Sequence, residues 1–216
     1  MDILIGCETS GTVREAFLAL GHNAWSCDIL PSDTPTNRHI QGDLLQVMND
    51  SKWDMLLIAH PPCTRLCNSG VRWLHTPPPG KTVEKMWKDL DEGAAFFSKI
   101  WNARIEKKVI ENPVMHKYAK ARIVNYKPFM QSVHPWQFAH GSDSPDNVKK
   151  RTCLWGENVP LLVPTGDQDG STARADIHNA PPGPDRWKIR SKFFSGMAKA
   201  MALQWGGDIR KENCYV

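Results

Sequence analysis

Residues 2–6 (DILIG) are mostly apolar, Cys7 to Gly11 are small and polar, and then the period changes: over 12–20 (TVREAFLAL), Val13, Phe17 and Leu20 recur on one helical face until Gly21 stops them. This predicts strand, turn and helix in succession. Asn23 to Cys27 predicts a second strand that delivers Asp28 at its carboxyl end, and Gly42-Asp43-Leu44 closes another short extended stretch. Residues 55–59 (MLLIA) then run straight into His60-Pro61-Pro62-Cys63. Proline lacks the N–H a strand ladder needs, so the strand must stop there and Cys63 sits on a rigid turn just past its end. A loop rich in Gly and Pro is expected over 67–82, and a helix over 84–105 with Met86, Leu90, Ala94, Phe97 and Trp101 on one stripe. Lys108 to Ile110 predicts a further strand ending in Glu111-Asn112-Pro113. Strands alternating with helices imply a single α/β domain built on a doubly wound, mostly parallel sheet, whose ligands gather at the carboxyl ends of its strands.

Composition narrows the class. The 216 residues are 41% hydrophobic, enough for a real core, and contain no run long enough for a membrane span or a signal peptide, so a cytoplasmic protein is expected. Six cysteines, Cys7, Cys27, Cys63, Cys67, Cys153 and Cys214, follow no framework spacing and read as reduced thiols. There is no C-x-x-C pair; Cys63-x-x-x-Cys67 is the nearest approach to a metal pattern, and no metal is expected. The net charge of +4 hides a division: residues 1–60 hold 3 Lys/Arg against 8 Asp/Glu, and the remainder holds 24 against 15. The basic clusters at Lys107-Lys108, Lys117 to Arg122, Lys149-Lys150-Arg151 and Arg186 to Lys192 suit a polyanion such as nucleic acid, and equally the solvated faces of helices.

The opening turn, with Asp28 and Asp43 at later strand ends, is a nucleoside-cofactor arrangement: close backbone approach at the first turn, then carboxylates for ribose hydroxyls. Only Gly6 and Gly11 are glycine and the full G-x-G-x-x-G is absent, which disfavours a pyrophosphate. S-adenosylmethionine has ribose and adenine without a phosphate. Helix caps and turns of any α/β protein use the same residue types.

Taken in order, the Ser10-Gly11 turn, Asp28, Gly42-Asp43, Pro61-Pro62-Cys63, Glu111-Asn112 and Lys149-Lys150-Arg151 resemble the motifs of the DNA cytosine-5 methyltransferases, in particular the short forms of phages and prophages. The resemblance implies a methyltransferase-type, Rossmann-like sheet and an S-adenosylmethionine-dependent transfer to carbon 5 of cytosine. It makes Cys63 the nucleophile, Glu111 the acid that holds the cytosine and Arg151 a basic residue near the ring. Glu8, Ser10, Gly11, Asp28, Asp43 and Pro61 form the implied cofactor set, and Pro62 and Asn112 face the substrate. Residues 1–60 would be a cofactor half, 61–151 a catalytic half and 152–189 a short irregular insert, with 190–206 (RSKFFSGMAKAMALQWG) similar to the family's C-terminal helix. Full-length relatives place a target-recognition domain where this chain has 38 proline-broken residues. Relaxed specificity, a free cytosine nucleotide as substrate, a homodimer or a separate specificity subunit all remain open.

The chemistry explains the residue types. Carbon 5 of cytosine is a poor nucleophile until a thiolate adds to carbon 6, and a carboxyl group at ring N3 relieves the charge that develops. Arg65 or Arg151 is expected to favour the Cys63 thiolate, and His60 to be a packed strand-end residue. Of nine tryptophans, Trp73 and Trp187 lie in basic or loop context where indole could stack on an unpaired base. Two other classes compete. A zinc deaminase needs P-C-x-x-C and an upstream H-x-E, both missing here; a non-catalytic nucleic-acid-binding protein would need no thiol opposite a carboxylate.

Overall fold

The structure, a computed structural model, describes residues 1–181, 183 and 186–208, without the side chains of 178 and 187–189. Seven strands, β1 (Asp2–Gly6), β2 (Asn23–Asp28), β3 (His39–Gln41), β4 (Met55–Ile58), β5 (Lys107–Asn112), β6 (Gln131–Val133) and β7 (Thr152–Glu157), form one sheet in the order β3-β2-β1-β4-β5-β7-β6. The first five in that order pair in parallel, and β7 runs antiparallel to both β5 and β6. This is a mostly parallel α/β sheet compatible with a Rossmann-like fold, and its order reverses at β1 and β4. Flanking helices are α1 (Thr12–Leu18), α2 (Leu44–Asp50), α3 (Val83–Trp101), α4 (Lys117–Lys120), α5 (Asp176–Asn179), α6 (Arg186–Ser191) and α7 (Ser195–Met201). No helix among the described residues is long and apolar enough to cross a membrane.

Alternation along the central strands divides the core between the two faces. Ile3, Ile5, Leu57 and Val109 pack with Phe17 of α1 and with Met197 and Met201 of α7. Leu4, Leu56, Ile58 and Ile110 pack with Leu90, Phe97 and Ile100 of α3. Both faces of β4 are buried, which is why its sequence is an unbroken apolar run rather than an alternating one. Helix α3 begins where Thr82 accepts a hydrogen bond from Lys85 N, and the whole expected stripe from Met86 to Trp101 is buried. It ends four residues before the expected 105, because Asn102 turns out to hold Ser98 O and Val124 O and β5 must start by 107 to pair with β4.

Three expectations are corrected. Residues 68–74 within the expected loop form a short 3-10 helix. The expected helix over 190–206 is broken: α6 ends at Ser191 and α7 begins at Ser195. Phe193 and Phe194 are buried in two different clusters, and seating both pulls the chain out of the helix between them. The expected irregular insert at 152–189 opens with β7, a strand inside the sheet.

Candidate functional site

Parallel register places the interesting residues in one row. Gly6 pairs with Cys27 and with Ile58, and Ile58 pairs with Ile110. The residues one step further, Cys7, Asp28, Ala59 and Glu111, therefore line the carboxyl edge of four adjacent strands. From Ala59 the chain leaves through His60, buried Pro61 and exposed Pro62 to Cys63, which is half-buried. Leu66 N and Cys67 N both donate to Cys63 O at 2.9 and 3.1 Å, so the thiol starts a single helical turn. The segment after β5 fastens that turn in place: Asn68 N donates to Val114 O, His116 N to Leu66 O, and the His116 ring lies 2.7 Å from Arg65 O. Cys63 and Glu111 are thus held by a common scaffold, and each bears on the other's charge.

Glu111 is buried, and burial pushes its carboxyl up against the opposing pull of Lys150 and of a hydrogen bond from Thr152. The Lys150 ammonium stands 4.0 Å from Glu111 Oε1 and also acts on Cys63 and His60. His60, its ring against Phe193, is held well below the usual histidine range by burial and then by Lys150, so it is neutral at pH 7. The cation at this site is Lys150, not the expected Arg151. Leu154 pairs with Glu111 and shares its face of the sheet, so even-numbered positions leading into β7 point toward the carboxyl and odd ones away. Arg151 is exposed, and its charge falls on Cys153. Arg65 lies 3.6 Å from Asp89 rather than bearing on the Cys63 thiol.

Asn112, next along the strand, leaves on the opposite face, among the residues packed on α3. It is wholly buried, and neither its amide nitrogen nor its oxygen has a hydrogen-bond partner. Trp73 is half-buried in the 3-10 helix with the Arg72 guanidinium 4.2 Å above its ring; the Trp187 side chain lies outside the described residues.

At the first turn, Cys7 takes a left-handed conformation (φ 57°) that swings the chain off β1. Glu8, expected beside a cofactor, is fully buried instead and caps α1, its oxygens accepting from Val13 N at 2.7 Å and Arg14 N at 3.2 Å. Gly11, the residue before α1, has φ 71° and no side chain to cap with, so Glu8 does that work from three residues back. Ser10 is half-buried and accepts from Thr12 N. Asp28 is half-buried with Oδ1 accepting from Leu30 N, and Asp43 is exposed and caps α2 through Leu45 N. Next to Asp28, Ile29 is 74% exposed at a strand end where a large apolar side chain would ordinarily be covered.

Sequence reasoning missed Lys150 and Cys67. The parity of Lys150 with Thr152 and Leu154 was the available signal, legible only once β7 is known to be a strand. Among the described residues no group of three or more His, Cys, Asp or Glu side chains is arranged to hold a metal ion. No family model and no curated protein matches the chain.

Proposed function

We propose that the chain transfers a methyl group from S-adenosylmethionine to carbon 5 of cytosine in DNA through a covalent adduct on Cys63. One observation carries this reading: a thiol, a proton-bearing buried carboxyl and an ammonium share one neighbourhood at the carboxyl edge of an open α/β sheet. Cys63 adds to ring carbon 6. As electrons move toward N3, Glu111 gives up the proton that its burial retains, and Lys150 steadies the carboxylate it becomes. Once carbon 5 has lost its proton, expulsion of Cys63 restores the aromatic ring. A cofactor that supplies an electrophilic methyl group completes the reaction.

The first turn suits that cofactor chemically. Residues 7–13 contain no Lys or Arg, and Arg14 is buried on Ser26 and Glu15. Asp28, Asp33 and Asp43 lie nearby at strand ends and loops, a setting that repels phosphate and favours a cationic sulfonium and amine. Asp28 would take ribose hydroxyls and Ile29 the adenine face. Glu8 is excluded from that set by its capping role.

Residues 158–175 form no helix or strand, so little structure is available to read a DNA groove, and this favours a free cytosine nucleotide as the second reading. The test is to incubate the protein with labelled cofactor and duplex DNA, single-stranded DNA or dCMP, then to digest and measure 5-methylcytosine by mass spectrometry. We expect product in DNA, with affinity falling steeply with salt as the clusters at 149–151 and 186–192 release counterions. Product in dCMP alone would shift the substrate, and product in no sample would overturn the reading.

A further inference from the structure

Of the cysteines among the described residues, Cys7, Cys27 and Cys153 are pushed up mainly by burial, as inert thiols are. Cys67 differs. It lies one helical turn after Cys63, the spacing that stacks two side chains on the same face, and the two thiols are hydrogen-bonded to each other. Its sulfur also meets the Ser69 hydroxyl at 3.1 Å and accepts from the backbone N–H groups of Ser69 and Gly70. Gly70 is what lets the next turn close so tightly: a Cβ there would stand 2.0 Å from Thr64 O. On its other side Cys67 is bridged to Met115, four residues beyond Glu111. No comparable donors converge on Cys63, which instead faces Glu111.

We propose that Cys67 is the base that removes the Cys63 proton, an assignment that rests on Cys63 being the nucleophile. As the Cys63 sulfur bonds to ring carbon 6, its S–H bond breaks and the proton forms an S–H bond on the Cys67 thiolate. When Cys63 is expelled, the same proton returns. The resting charge therefore sits on Cys67, where Ser69 and the backbone donors stabilise it, and Cys63 need not exist as a free thiolate beside Glu111. The directions of the two thiols agree: Cys67 is drawn below the ordinary range, first by the hydrogen bond from Cys63 and then by Ser69, while Cys63 is pushed up by the same bond, by burial and by Glu111. Such a pair loses its first proton early and shares the second.

The test uses Cys67→Ser and Cys67→Ala with two readouts. Thiolate absorbance of the wild type should show a one-thiolate step below the ordinary cysteine range that both variants lack. Alkylation of Cys63 by iodoacetamide, followed site by site with mass spectrometry, should be at least roughly tenfold slower at pH 7 in the variants and recover as pH rises. Where the wild type methylates, its rate should fall by at least about 100-fold in Cys67→Ser, the scale of losing a general base, with cofactor affinity unchanged. A variant that keeps the thiolate step, or that keeps the Cys63 alkylation rate with its thermal melt intact, overturns the role of Cys67. A wild type with the step and fast alkylation but no methyl transfer supports the pair and overturns the methyltransferase reading instead.

Discussion

A single-residue offset decides which cation serves the site. Lys149-Lys150-Arg151 is a run of three positive charges, and composition alone cannot choose among them. In a strand a shift of one residue exchanges the two faces, so Lys150 reaches Glu111 and Arg151 does not. Glu111 must hold a proton to act as an acid, so activity should fall as pH rises through its raised value. Lys150 opposes that rise. In Lys150→Met the alkaline limb of the pH–rate profile should therefore move to higher pH, and the neutral rate should drop about tenfold, one pKa unit of charge stabilisation on the reacting groups. Arg151→Met should leave the limb where it is. A limb that moves with Arg151 and not with Lys150 would reverse the assignment.

At the scale of the element, local patterning was legible and long-range pairing was not. β1, α1, β2, β4 and α3 each follow from a hydrophobic period with a clear stop, and the structure places them within a few residues of the expected bounds. β7 does not: TCLWGE is short and contains a glycine, and what makes it a strand is pairing with β5, more than 40 residues earlier in the chain. The first turn shows the same limit. Glu8 satisfies the criteria for a cofactor carboxylate, yet the missing cap at Gly11 claims it for the N-terminus of α1. Glu8→Ala should therefore destabilise the fold by about 1–3 kcal/mol, the scale of leaving buried donors unsatisfied, as read by denaturant midpoint at constant slope. A variant of unchanged stability that binds S-adenosylmethionine more weakly would return Glu8 to the cofactor set.

The whole molecule joins an acidic first quarter, whose carboxylates surround the turn after β1, to a basic remainder that begins at the thiol loop. That division matches a cationic cofactor on one side of the switch in strand order and a polyanion on the other. The central claim is the covalent one. It is tested most directly by mixing the protein with cofactor and oligonucleotides carrying 5-fluoro-2′-deoxycytidine, whose carbon 5 has no proton to lose, then locating the adduct by peptide mass spectrometry. We expect one stable adduct, on Cys63, formed slowly in Glu111→Gln and absent in Cys63→Ala. An adduct on another cysteine, or full trapping by Cys63→Ala, would contradict the claim.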